Sequence, residues 1–390
     1  MKGNLSDNSN RLVKILQDIL SLAKSRPAGS ESEEKIKEYI SISLSNSGYE
    51  IQKESFSFPI IPRLYNAQLI ESVLIILALV LVRSTPLLGF LLPLIFSILP
   101  VLMLECIKLF PRKFTTENFI ATPRNVLLSD AKILVVAHMD TAQTIPFLSG
   151  IKGKIISYCQ RTLFIITFII ALQSLAGIAK ITMTPAILAG LNIFSITITS
   201  ITTLYQLWIT YFWHQEYSPG ANDNASGVAV GLLIAETLSK QKKEANYPIA
   251  FLFTSAEEQG LFGAADFVKK HTDWTDKPVV LNLDSVAGGN KLGLVIRYGR
   301  LVPDYTSRSL NHIIKEIDHT LVKISHFHRC GDYLPFYRSG FQVTSLEAVW
   351  NGDTPPEYHT SKDTPENLNF EIFSQAYQVT SKTIEHFINS

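Results

Sequence analysis

Apolar residues follow three patterns along this chain, and each predicts a different kind of element. KILVVAH (132–138), IAFLFTSAEE (249–258) and VVLNLD (279–284) are short runs rich in β-branched and apolar residues. Such runs read as strands. RLVKILQDILSLA (11–23) and EEKIKEYISISLSNSG (33–48) place apolar residues at helical spacing, and the second ends at Gly48, a plausible helix stop. Both are expected to pack on a sheet. NASGVAVGLLIAETLSK (224–240) is a further helical pattern with Asp223 at its start. Strands and helices together point to an open α/β sheet, with ligands expected at the carboxyl ends of its strands.

The third pattern has no period. Between Asn66 and Ile107 the only charges are Glu71, Arg83 and Glu105, and between Thr162 and Trp213 the only one is Lys180. Asn66–Val82, Pro86–Ile107, Thr162–Ala179 and roughly Pro185–Trp208 each approach the ~20 apolar residues that cross a bilayer. Buried helices of a soluble cap or dimerisation domain are the alternative, but those would show a polar stripe every 3.6 residues. The expected organisation is therefore two transmembrane hairpins, 64–110 and 161–212, inserted into a domain built from 1–63, 111–160 and 213–390. An even number of crossings in each insert keeps all the candidate ligands on one side of the membrane.

Those ligands occur in a fixed order: His138 in AHMD, Asp223 in PGANDNASG, Glu257 and Glu258 in FTSAEEQG, Asp284 in LNLDS and His359 in EYHTSKDT. Two imidazoles and three carboxylates suit Zn²⁺ in a site that keeps a water position. One ion would need only three of them. Five ligands make sense if one carboxylate bridges two metals, and Asp223 is the natural bridge, because backbone N–H groups at a helix start can hold a carboxylate. A two-metal hydrolase also needs an unligated carboxylate to move a proton. If Glu258 ligates, its neighbour Glu257 is left free for that work.

In this order and with these neighbours, H-x-D, G-A-N-D-N-A-S-G, E-E-x-G, N-L-D and Y-H-x-S-x-D-T resemble the M28 family of zinc aminopeptidases over about residues 10–60 and 112–390. The resemblance implies a doubly wound α/β fold, with a mixed sheet flanked by helices, and two zinc ions per chain. His138, Asp223 and Asp284 would hold one ion, and Asp223, Glu258 and His359 the other. Glu257 would be the general base, Asp140 would orient His138, and Tyr358 would be positioned to stabilise the oxyanion. RPAGS (26–30) resembles an R-x-A-G-S segment of the same family, and Asp332 lies in a segment expected to pack near the site and is read as structural.

Composition and charge refine this picture. A net charge of +1 gives no reason to expect nucleic acid, and three scattered cysteines, Cys106, Cys159 and Cys330, imply no disulfide framework. Basic residues flank the inserts on the domain side, and the polar amino terminus has no signal-peptide core, so the catalytic domain is expected to be cytoplasmic. The segment Trp213–Asn222 reaches no more than about 33 Å, so the metals are expected near the bilayer and the substrates to be peptides presented there. The expected activity is that of a membrane-anchored aminopeptidase. A glutaminyl-cyclase-like zinc enzyme and an inactive peptidase-fold receptor or scaffold are the alternatives, and the sequence leaves the oligomeric state open. His326 and His328 share one side of a strand pattern but are read as ordinary histidines.

Overall fold

The computed structural model describes residues 5–59, 113–144, 216–241, 248–299, 303–326 and 329–389, Ile75 and Leu77, and most of 165–179 and 184–212. The chain divides into two compact units. One comprises residues 1–58, 114–146 and 216–390, the other 59–113 and 147–215.

The first unit opens with helices α1 (Leu5–Leu22) and α2 (Glu31–Asn46), followed by strands β1 (Tyr49–Pro59), β2 (Lys113–Pro123) and β3 (Ile133–His138). The second unit supplies α3 (Pro185–Phe212). The first then continues with α4 (Gly227–Lys240), β4 (Ile249–Thr254), α5 (Phe262–Lys270), β5 (Val279–Leu283), β6 (Lys291–Tyr298), β7 (Asp304–Tyr305), α6 (Arg308–Ile317), β8 (Val322–His326), α7 (Tyr333–Arg338), β9 (Val343–Val349) and α8 (Phe370–Asn389).

These strands form one mixed sheet in the order β1-β2-β4-β3-β5-β9-β6-β7, with β8 also paired to β6. Strands β4, β3, β5 and β9 run parallel, and β2 and β6 flank them antiparallel. Burial on both faces explains the continuous apolar runs, since parallel strands need cover on each side. Ile133, Val135, Phe251, Phe253 and Leu281 face one core layer, while Leu134, Val136, Leu252 and Val280 face the other. Helices α1, α2, α4, α6 and α8 close the first layer, and α5 and α7 the second. On α1 the fully buried Ile15, Leu16 and Ile19 each contribute roughly 1.5–3 kcal/mol by leaving water. The expected mixed sheet flanked by helices is therefore present.

Two expectations about helix starts come out differently. Helix α2 begins at the Ser30 cap, whose hydroxyl accepts the Glu33 N–H, before the stretch singled out above, and Gly48 just beyond its end has φ +86°. Helix α4 begins at Gly227, not at Asn224. Residues 221–226 form an irregular turn, with Asp223 and Asn224 outside helical backbone angles and a cis peptide bond between them.

In the second unit, Ala186–Leu204 of α3 is long and apolar enough to cross a membrane. It is the one such helix among the described residues. Its large apolar residues Ile187, Ile193, Phe194, Ile201 and Leu204 face outward, while Ser195, Thr199 and Thr202 are buried. Hairpin 64–110 lies outside the described residues apart from Ile75 and Leu77, as does part of 161–212.

Candidate metal centre

Parallel pairing sets the carboxyl ends of β3, β4 and β5 side by side. Register pairs His138 with Thr254 and Val136 with Asn282, so His138, the 255–258 turn and Asp284 emerge along one edge of the sheet. The turn after β4 passes through Ala256 at φ +57°, a backbone conformation that L side chains rarely adopt, and this sharp reversal presents Glu257 and Glu258 to the site.

Asp223 reaches the same edge because its turn is pinned from both sides. The Asn222 side-chain oxygen accepts the N–H groups of Ala287 and Gly288 at 2.8 and 2.6 Å. The Asn224 side chain accepts from Ser285 N and Gly227 N and donates to the Leu283 carbonyl at 2.8 Å. Asp223 and Asp284 are thereby fixed to each other through their neighbours. The free N–H groups of Asn222 and Asp223 do not hold the Asp223 carboxylate, as the helix-start reading expected. They donate instead to Asp363, at 2.7 and 3.0 Å. The asparagines divert the backbone from helix, which leaves the Asp223 carboxylate pointing into the site.

Its two oxygens face different imidazoles. Asp223 Oδ1 lies 3.1 Å from His138 Nε2, and Oδ2 lies 3.1 Å from His359 Nε2. Asp284 Oδ1 is 3.9 Å from His138 Nε2, and Glu258 Oε2 is 3.1 Å from His359 Nε2. Ligand atoms of His138, Asp223 and Asp284 all lie within 4.8 Å of one another, as do those of Asp223, Glu258 and His359. Glu257 forms a third such group with His138 and Glu258. All six residues are thus brought to one place.

Asp140 serves as a strut. Its carboxylate accepts the N–H groups of Glu257 and Glu258, both at 3.2 Å, and its main-chain oxygen is 3.1 Å from His138 Nδ1. The carboxylate itself is 3.6 Å from that nitrogen. Tyr358 lies flat on His359, with ring centroids 3.7 Å apart. Asp332 is buried beside the site, where it accepts from the Thr254 hydroxyl.

Negative charge exceeds positive here. Burial pushes the Glu257 carboxyl well above its ordinary range; nearby His138 opposes the shift, while Glu258, Asp284 and Asp332 add to it. Burial alone would lower His359, yet Glu258 and Asp223 outweigh it and hold the imidazole up at about 10. The arrangement calls for added cation charge. Among the described residues, His138 Nε2, His359 Nε2 and Glu258 Oε1 are buried without a hydrogen-bond partner, although carboxylate oxygens stand 3.1 Å from both imidazole nitrogens. Ligand atoms about 2.0–2.1 Å from a tetrahedral ion lie roughly 3.3 Å apart, so this spacing and donor set fit a metal better than a hydrogen bond.

Reading the sequence missed two supports. Arg26, fully buried, donates to the main-chain oxygens of Met139, Pro219 and Gly220 at 2.8–3.0 Å, tying the His138 and Asp223 segments together. Burial lowers its guanidinium to about 10, against the pull of Asp363, Asp140, Asp223 and Glu33. Asp363 is the other, with its carboxyl pushed up to about 7 by burial despite two N–H donors. Both lie inside motifs that were recognised, RPAGS and YHTSKDT, but nothing local marks either as a backbone clamp. His326 is half-buried, with Nε2 2.7 Å from Glu347 Oε2, and His328 lies outside the described residues.

Comparison with known proteins adds a family to this geometry. The description peptidase family M28 matches residues 208–384. That stretch resembles an M28 peptidase domain. It holds Asp223, Glu257, Glu258, Asp284 and His359, while His138 at the end of β3 and Asp140 just beyond it lie before that stretch. The chain is 27% identical over 176 residues to aminopeptidase YwaD of Bacillus subtilis, covering 43% of this chain and 38% of that protein. It is 30% identical over 164 residues to a probable leucine aminopeptidase of Arthroderma otae, covering 40% and 44%. The chain therefore matches less than half the length of these relatives. Among solved structures, a leucine aminopeptidase precursor from Bacteroides thetaiotaomicron has a TM-score of 0.56 at 13% identity, covering 96% of each chain. The zinc aminopeptidase BSAP of Bacillus subtilis gives 0.54 at 15% identity, covering 98% of this chain and 95% of that one. Porphyromonas gingivalis glutaminyl cyclase gives 0.56 at 13%, covering 97% and 98%. At such identities the likeness is one of fold.

Proposed function

We propose that this chain is a membrane-anchored di-zinc peptidase acting as an aminopeptidase. The carrying observation is Asp223, whose two oxygens each approach a different imidazole at 3.1 Å. That is the posture of a bridging carboxylate between paired metal positions. His138, Asp223 and Asp284 would hold one ion, and Asp223, Glu258 and His359 the other.

Bound zinc supplies Lewis acidity, lowering the pKa of a water and polarising the scissile carbonyl. Glu257 takes the proton from the attacking water and returns it to the leaving amine nitrogen. Its buried position beside both clusters suits that work, because it stands within reach of a water held between them. Asp140 keeps Glu257 and Glu258 in their separate roles by holding both of their N–H groups. Tyr358 at the rim stabilises the oxyanion. The substrate's free α-amine is held by the acidic side chains of Glu257 and Asp284, which favours cleavage from the amino end.

The anchor is the second unit, read as two hairpins crossing the membrane. An α3 that turns Ile193, Phe194 and Leu204 outward and Ser195 and Thr199 inward is built for an apolar solvent. Each insert also leaves and re-enters the first unit at a single point. Thr144 N donates to the Glu216 carbonyl at 2.9 Å, and β1 and β2, which bracket the other insert, are neighbours with Ser57 beside Thr115. Closed entry and exit suit an even number of crossings. Because β2 runs antiparallel to β4, both insertion points lie at the strand ends that carry the ligands. Peptides presented near the membrane follow as substrates, with the first unit on the cytoplasmic side.

A glutaminyl-cyclase-like enzyme is the second reading, favoured by the fold likeness to the Porphyromonas gingivalis protein. The retained ligand set speaks against an inactive scaffold. A substrate panel separates these readings: detergent-purified protein is offered free aminoacyl peptides, the same peptides N-acetylated, and peptides beginning with glutamine. We expect hydrolysis of the free peptides alone, abolished by chelation and restored by zinc. Cyclisation without hydrolysis would favour the second reading, and absence of chelator-sensitive turnover would defeat both.

A further inference from the structure

The two histidines of the cluster are steadied by different means. His138 meets the Asp140 carbonyl through the ring nitrogen that faces away from the cluster, at 3.1 Å. This is the usual device for fixing a ligating imidazole. His359 has no such hydrogen-bond partner among the described residues, and it sits on a left-handed backbone at φ +54°. One face of its ring is instead covered by the Tyr358 ring, at 3.7 Å and 19° from parallel. Over the Tyr358 ring lies the Arg329 guanidinium, 4.3 Å from the centroid. Arg329 is itself fixed: its Nη2 donates to Glu347 Oε2 at 2.7 Å, and the same oxygen stands 2.7 Å from His326 Nε2. Glu347 is buried on β9, so the stack is anchored in the sheet.

We infer that the layered stack of Arg329, Tyr358 and His359 aims His359 Nε2 at the second metal position, making Arg329 and Glu347 positioning residues for that ion alone. A guanidinium over a phenol ring is attractive, more so away from water, and a flat phenol on an imidazole restricts rotation of the ring beneath it. The stack thus does for His359 what the Asp140 carbonyl does for His138. The inference rests on the two-metal reading above and adds how its second half is assembled.

The test is zinc binding, measured by competition with a chelator on the full-length, detergent-purified chain. Wild type is expected to show two dissociation constants. Arg329→Met and Tyr358→Leu should weaken the second by about 10–100-fold and leave the first unchanged, the usual effect of losing an orienting partner. Tyr358→Phe keeps a ring in the stack and should bind both ions as wild type does, which separates stacking from any chemistry of the hydroxyl. In a Glu258→Ala background, where only the first position remains, Arg329→Met should change nothing. Unaltered second-site binding in both Arg329→Met and Tyr358→Leu would overturn the inference. So would equal weakening of both ions, since that marks a general loss of structure. If Arg329 acted on substrate alone, KM would rise with zinc binding untouched, which also counts against it. A wild-type chain that binds a single zinc would instead defeat the two-metal reading itself.

Discussion

Glu257 and Glu258 are adjacent, yet the site asks different things of them. Glu258 Oε2 stands 3.1 Å from His359 Nε2 within one ligand cluster, while Glu257 lies beside both clusters with its carboxyl raised by burial. Glu257→Gln is expected to lower kcat by at least ~100-fold, the usual scale of general acid–base catalysis, with zinc content unchanged. Glu258→Ala should instead lose one zinc. Metal analysis of the two variants checks the division of labour, and zinc loss in Glu257→Gln would mean that the roles are reversed. This division was readable from the sequence only as a conditional. What supports it in the structure is the placement of Glu258 Oε2 against His359 Nε2, a contact between segments far apart in the sequence.

Among the elements, legibility followed burial. Strands β3, β4 and β5 announced themselves because both faces are covered and, apart from Asn282 and the terminal His138 and Thr254, their residues are apolar. Strand β2 and the edge strands mix polar and apolar residues, so their pairing depends on neighbours that no local pattern names. The start of α4 was misplaced for a related reason. Asn222, Asn224 and Ser226 all direct side-chain hydrogen bonds to residues 283–288, and the Asn224 side-chain oxygen accepts the Gly227 N–H as well as that of Ser285. Gly227 allows this close approach, since a Cβ there would lie 2.5 Å from both the Leu283 carbonyl and the Asn224 side-chain oxygen. Gly227→Ala is therefore expected to destabilise the first unit by about 1–3 kcal/mol, the scale of overpacking, and to weaken zinc binding, both read from thermal melts with and without zinc.

A milder effect is expected where α1 meets α4. Arg11 Nε lies 2.8 Å from Glu236 Oε2, and Lys240 lies 2.6 Å from the other oxygen. Burial alone would raise the Glu236 carboxyl, but Lys240 and Arg11 outweigh it and hold it below its ordinary value. A carboxyl depressed in the folded state contributes stability above its unfolded pKa, and that contribution is lost as pH falls through the folded value. Glu236→Gln should cost about 0.5–1 kcal/mol near pH 7, because the pair is half-exposed and screened by solvent. In acid its urea midpoint should converge with that of wild type; a gap that persists there would contradict the assignment.

At the scale of the whole molecule, the proposal joins a hydrolase to a bilayer. Cysteines placed at Ser84 and Thr182, in a background lacking Cys106, Cys159 and Cys330, are expected to react with an impermeant maleimide added to intact cells, while one placed at Ser9 is not. Labelling at position 9 alone would invert the topology. Both insertion points lie at the ligand end of the sheet, so a peptide carrying an apolar tail should show a higher kcat/KM in liposomes than the same peptide without one, after correction for partitioning. Equal values would reduce the inserts to a simple anchor. The central claim is narrower than either: Asp223 is shared by two metal positions. It is tested most directly by counting zinc per chain in the purified protein and in Asp223→Ala. The account predicts about two ions in wild type and near-complete loss in the variant, as removal of a bridging ligand requires. One tightly held zinc in wild type, or a full complement surviving in Asp223→Ala, would contradict it.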